Sequence, residues 1–153
     1  MLPFKKILCP TDFSEAAFVA LKRAEEMARH FAAELIVAHV IPPLPGPHSF
    51  PDPQAPLNFD VPLFQQELAI KAEQMLKDLV SYHKVETRNL VTTGEAAPEI
   101  LRIAEQEHAD LIVIASHGLT GWRRLVFGSV AEKVVRQATC PVLTIMAPPE
   151  AGQ

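Results

Sequence analysis

The sequence predicts an α/β protein: a doubly wound, open, five-stranded parallel sheet with helices on both faces. Three observations carry that prediction. Short apolar runs of strand length alternate along the chain with longer stretches whose apolar residues recur at helical spacing. The apolar runs are nearly continuous, as strands covered on both faces require. Strand, helix and strand repeat in that order, and right-handed crossovers then build a doubly wound sheet. A chain of 153 residues suits one domain, expected over residues 1–146.

Lys5 to Pro10 reads as the first strand, with Ile7, Leu8 and Cys9 as its buried run and Pro10 ending it. Asp12 and Ser14 offer capping oxygens before a helix carrying Ala17, Leu21, Ala24, Met27, Ala28 and Phe31 on one face. Leu35 to Ile41 is the second strand. From Pro42 to Pro62 there are eight prolines in twenty-one residues, which excludes a regular helix or central strand and predicts a long surface loop within the domain. Pro62 to Tyr82 is the second helix, with Leu68, Ala72, Met75, Leu76 and Leu79 on one stripe, and Pro62 stands where a missing N–H costs least.

Val85 to Thr92 mixes polar and apolar residues, as expected of an edge strand, and Thr93-Gly94 turns the chain. Pro98 leads into a third helix with Ile100, Leu101, Ile103 and Ala104. Leu111 to Ala115 is the fourth strand. Ser129 to Ala138 is the fourth helix, with Val130, Val134, Val135 and Ala138 at helical spacing and Ser129 placed to cap it. Pro141 to Met146 is the fifth strand, and the tail from Ala147 to Gln153 is expected to fray.

Composition excludes several classes. With 48% hydrophobic and 21% charged residues the chain is an ordinary globular protein rather than a disordered one. A net charge of −4, with no basic stripe beyond isolated pairs such as Lys5-Lys6 and Arg123-Arg124, argues against nucleic acid as a partner. No run approaches a membrane span, and Pro10 interrupts the start too early for a signal-peptide core, so the expected location is cytoplasmic. Cys9 and Cys140 read as small buried hydrophobes, and the six histidines show no zinc-type spacing. A Ser-His-Asp order, a G-x-S-x-G elbow and a P-loop are all missing from the sequence, so no catalytic residue is assigned. A receiver domain needs an aspartate after its third strand, where this chain has Val91-Thr92-Thr93-Gly94.

The stretch Leu111 to Ser129, LIVIASHGLTGWRRLVFGS, holds the chemistry. A strand ends at Ser116-His117-Gly118, a loop follows, and Gly128-Ser129 opens a helix. Glycines let backbone N–H groups approach a ligand, and a helix start offers unpaired donors with partial positive charge, so this layout suits phosphate. Arg123 and Arg124 read as solvated loop residues, with Trp122 and Phe127 pinning the loop to the body.

Together with Pro10-Thr11-Asp12-Phe13-Ser14, Val130-Ala131-Glu132-Lys133-Val134 and Cys140-Pro141-Val142-Leu143, that stretch resembles the universal stress protein family, whose ATP-binding members carry G-x2-G-x9-G-S/T here. In this chain the first glycine is Ala115, and Gly118 and Gly128-Ser129 keep the spacing. The resemblance implies the adenine nucleotide alpha hydrolase-like fold with strand order 3-2-1-4-5. The reversal between strands 1 and 4 then brings the two motifs to one crevice. It also implies ATP, with Mg²⁺ on its phosphates. Asp12 matches the aspartate on the ribose and adenine side; its alternative reading is a cap for the first helix, and both can hold at once. Val40 matches a position whose backbone reads the adenine edge, and Pro10 and Thr11 shape the floor. Gly118, Gly128, Ser129 and the amide of Val130 are the phosphate set, with His117 a polar neighbour. A methyl group at Ala115 crowds a nucleotide or costs nothing, depending on its φ.

The fifth strand has apolar residues on both faces, with neither lysine nor internal proline to guard an edge. In the family it pairs with its copy, which implies a homodimer through Val142, Leu143, Thr144 and Ile145 with Val142 and Ile145 at the centre. The expected function is a nucleotide-dependent stress-response module acting on a protein partner that the sequence leaves unnamed. The alternative is a dimer without nucleotide that acts only through protein contacts.

Overall fold

In a computed structural model, the structure describes residues 3–44, 61–81, 85–117 and 127–146. The elements run β1 (Lys6–Pro10), α1 (Glu15–Phe31), β2 (Glu34–Ile41), α2 (Val61–Val80), β3 (Thr87–Thr93), α3 (Ala96–Gln106), β4 (Leu111–Ala115), α4 (Ser129–Gln137) and β5 (Val142–Ile145). The strands form one parallel sheet in the order β3-β2-β1-β4-β5.

The pleat explains the continuous apolar runs. Successive side chains point to opposite faces, so a strand covered on both sides needs no polar alternation. Leu8, Ile36, Ala38, Ile112 and Ile114 pack on one face beneath Ile100 and Ile103 of α3 and Val134 of α4. Ile7, Cys9, Leu35, Val37 and Val113 pack on the other beneath Leu21 and Ala24 of α1 and Leu76 of α2. Burial pushes the Cys9 thiol up to about 12, so it behaves as the inert hydrophobe expected of it.

Ser14 caps α1 by accepting the Ala17 N–H at 3.1 Å. Alanines at 17, 20, 24 and 28 form its buried face, which brings the helix close to the sheet. The second helix begins at Val61 with Pro62 in its first turn, and its buried residues are Ala72 and Leu76. Met75, expected on the same stripe, is 39% exposed, because it stands one position, about 100°, around the helix from Leu76. Val135 is likewise exposed while Val134 is fully buried.

The cap of α4 is Gly128 rather than Ser129. Gly128 has the extended conformation of a cap (φ −59°, ψ 148°), and its carbonyl accepts the Glu132 N–H at 2.9 Å, which leaves Ser129 already helical. Most of the Pro-rich segment, residues 45–60, lies outside the described residues, as do Gly118, Trp122, Arg123, Arg124 and the tail from 147 to 153. Phe127, expected to pin the loop, is 49% exposed.

Across the amino-terminal edge of the sheet, Arg88 of β3 pairs with Glu34 of β2 at 2.8 Å and with Glu107 after α3. The Asp110 carboxylate accepts the backbone N–H groups of Lys5 and Lys6 at 2.8 and 2.9 Å. Arg88 holds the Glu107 carboxyl below its ordinary value of 4.5. A carboxyl lowered by folding contributes stability above that ordinary value and loses it as pH falls through the folded one. Wild type is therefore expected to exceed Glu107→Gln in urea midpoint at pH 7, with the gap closing by pH 3. A gap of unchanged size across that range sinks the assignment.

Candidate functional site

The crevice originates in how far β1 pairs with its two neighbours. With β2 the register runs from Lys6↔Glu34 to Pro10↔Ala38, whereas with β4 it covers only Ile7↔Leu111 and Leu8↔Ile112. Past Leu8 and Ile112, β1 and β4 are no longer partners. This is the place where the chain order reverses across the sheet, and a cleft of about 290 Å³ opens there at the carboxyl ends of the strands.

On the β1 side, the Thr11 N–H bonds the Ala38 carbonyl at 2.8 Å, and the Thr11 hydroxyl oxygen accepts the Phe13 N–H at 3.1 Å. The Asp12 carboxylate accepts the Ser14 N–H at 3.0 Å. Asp12 is therefore not the cap of α1, which is Ser14, but braces the turn that delivers Ser14 to its capping position while it lines the cleft. Phe13 at the top of this turn has φ 63°, an uncommon conformation for a residue with a side chain.

On the β4 side, the Ser116 N–H bonds the Ile145 carbonyl at 2.9 Å, and the Ser116 carbonyl accepts the Gly128 N–H at 2.7 Å. Strand β4, strand β5 and the start of α4 are thereby tied at one residue, 3% exposed. The Ser116 hydroxyl lies 2.8 Å from His117 Nδ1. The Gly128 N–H, expected to face phosphate, is engaged by this tie. The N–H groups of Ser129, Val130 and Ala131 precede the first intrahelical bond of α4 and make up the donor set at the helix start. Ala115 is an extended strand residue opposite Ile145 and is not among the non-glycine residues with positive φ. Its backbone needs no glycine.

Pro10, Thr11, Asp12, Val40, Ala115, His117, Gly128, Ser129 and Val130 all line this cleft. Gly118 lies outside the described residues. The sequence reading missed the apolar wall made by Ala38, Ile100, Ile114 and Ala131, together with Ala96 at the rim. Part of that wall was accessible: Ala38 shares a strand face with Val40, two residues on. For Ala96 and Ile100 the available cue was Thr93-Gly94, which ends β3 at the same sheet edge and starts α3 there. Among the described residues there is no cluster of three or more His, Cys, Asp or Glu side chains suited to hold a metal.

A five-stranded 3-2-1-4-5 sheet with a crevice at its reversal and a helix start facing in fits the adenine nucleotide alpha hydrolase-like class of α/β fold. Residues 3–145 match the universal stress protein family, and the chain belongs to it. It is similar to universal stress protein MJ0577 of Methanocaldococcus jannaschii, 35% identical over an alignment 153 positions long that covers 93% of this chain and 94% of the relative. The solved structure of MJ0577 superposes with a TM-score of 0.79 at 29% identity, covering 95% of this chain and 98% of that one. Two more distant structures share the fold. A universal stress protein in complex with cAMP has a TM-score of 0.64 at 20% identity, with 93% of this chain and 96% of that one covered. One from Archaeoglobus fulgidus in complex with dAMP has 0.55 at 24%, with 94% and 98% covered.

Proposed function

We propose that this universal stress protein binds ATP in the cleft between β1 and β4 and acts as a nucleotide-dependent stress-response module. The observation that carries the reading is the division of one cleft into two chemistries. Val40, Ile100, Ile114 and their neighbours form an apolar wall suited to a purine face, and the N–H groups of Ser129, Val130 and Ala131 open α4 with the donors and positive dipole end that an anion needs. Asp12 stands as an acceptor for ribose hydroxyls. The extended backbone at Ala115 supports the same reading, because the substitution of the first motif glycine costs no conformational strain. Gly118 completes the motif spacing in the sequence.

Bound ATP supplies phosphate charge, and Mg²⁺ is carried on the phosphates, in keeping with that ion's habit of using substrate oxygens and water rather than a protein cage. The role is binding rather than catalysis, with hydrolysis slow at most; a turnover above about 1 per second overturns that view. The proposed location is cytoplasmic, and no helix among the described residues is long and apolar enough to cross a membrane. We also propose a homodimer through β5. This strand is the edge of the sheet next to β4, with Leu143 and Met146 38% and 68% exposed, and the adjoining residues Val142, Thr144 and Ile145 are partly buried.

The test is acid extraction of the purified protein to identify bound nucleotide, followed by titration of Mg²⁺-ATP into the stripped protein. Saturable binding at one site per chain is expected. Failure to bind leaves a dimer that works through protein contacts alone. Sedimentation of Val142→Glu checks the dimer, with monomer expected; a dimer that survives this charge removes β5 from the interface.

A further inference from the structure

The β1–β2 ladder ends at Pro10↔Ala38, followed by one backbone bond from the Thr11 N–H to the Ala38 carbonyl. Beyond that point the two chains part. Strand β2 continues to Ile41 against β3, while β1 enters the turn that carries Asp12. One side chain spans the gap. His39 Nδ1 lies 2.8 Å from the Thr11 carbonyl oxygen, and because a carbonyl only accepts, Nδ1 carries the proton and donates. The same ring lies against Phe13, centroids 4.5 Å apart, at the residue whose φ is positive.

We propose that His39 is a positioning residue for the nucleotide site. Its Nδ1–H bond to Thr11 extends the strand pairing by one side-chain link, and so holds the turn bearing Asp12 at a set distance from Val40, the adjoining residue of β2 that lines the cleft. The two groups that face the nucleoside half of the ligand are thereby fixed to each other before anything binds, and a preorganised site loses less ordering entropy on binding. His39 touches no ligand in this scheme and is absent from the cleft lining. The inference rests on the proposed nucleotide site, but the bond and the turn are properties of the free protein.

Three variants separate the bond from the ring. His39→Asn places its amide N–H at the same number of bonds from the backbone as Nδ1 and keeps the donor without the ring. His39→Phe keeps a ring against Phe13 without the donor, and His39→Gln carries a donor one bond too far. In the ligand-free protein, hydrogen exchange of the Phe13 and Ser14 amides reports the turn, because both are held by side chains within it, Thr11 and Asp12. His39→Phe and His39→Gln are expected to speed that exchange about tenfold and to weaken Mg²⁺-ATP about tenfold, the effect of one hydrogen bond. His39→Asn is expected to stay within about threefold of wild type in both measurements. Wild-type behaviour of His39→Phe, or an Asn variant as loose as the Phe variant, overturns the proposal. An intact protein that binds no ATP overturns the nucleotide reading instead, and the exchange rates in the same samples still decide whether His39 holds the turn.

Discussion

Gly128→Asp is expected to abolish ATP binding while making α4 more stable. Gly128 is the cap of that helix in the extended conformation a cap requires, and it supplies no side-chain oxygen to the helix start. An aspartate there can accept the N–H of Val130 or Ala131 and place its charge at the positive end of the helix dipole. Because glycine is already a tolerated cap, the gain is a few tenths of a kcal/mol up to about 1 kcal/mol. The same N–H groups are the ones assigned to phosphate. The new carboxylate therefore occupies the anion site and repels what would enter it, and a loss of at least about 100-fold, roughly 2.7 kcal/mol, is expected. Thermal melting and calorimetric titration of one preparation check both halves. A variant that melts no lower than wild type and still binds ATP with unchanged affinity would take the start of α4 out of the phosphate site.

The second large effect concerns α2. Leu76 is fully buried beneath the sheet, and truncating it leaves a cavity as well as losing the transfer energy of its methyl groups. Leu76→Ala is expected to cost about 3 kcal/mol and to lower the melting temperature by about 6–12 °C for a domain of this size. Met75→Ala, one position away and 39% exposed, is expected to cost under about 1 kcal/mol. Parallel melting curves decide the matter, and equal losses from the two variants would mean that α2 docks on a different face.

The pair also shows where pattern reading stops. Neighbours on a helix lie about 100° apart, so a mixed stripe such as Ala72, Met75, Leu76 and Leu79 is compatible with two docking angles. The position of β3 and β2 selects the one that buries Ala72 and Leu76. Val134 and Val135 on α4 pose the same choice. The start of α4 was ambiguous for a related reason: glycine and serine both cap helices, and the Gly128 N–H bond to the Ser116 carbonyl, a tertiary contact, makes Gly128 the cap. By contrast β4 was legible to the residue, since Asp110 and Ser116 bound an apolar run of strand length.

What is written locally in this chain is the alternation of strand and helix, the turn Pro10-Thr11-Asp12 after the first strand, and the small-residue stretch after the fourth. Those features rest on the two-residue pleat, the 3.6-residue helical turn and capping chemistry, all of which act within a few positions. What only the tertiary structure decided are relations between segments far apart in the chain, from about thirty residues to about a hundred. β1 and β4 stop pairing after Leu8 and Ile112 and so leave a cleft, Ile100 and Ala131 come in from separate helices to wall it, and Ala115 comes to lie opposite Ile145. His39, one of six histidines without a ligand pattern in the sequence, acquires a partner 28 positions away only once β1 and β2 lie side by side. Such contacts depend on how two hydrophobic layers settle on the faces of one sheet, and no local period encodes that distance or angle.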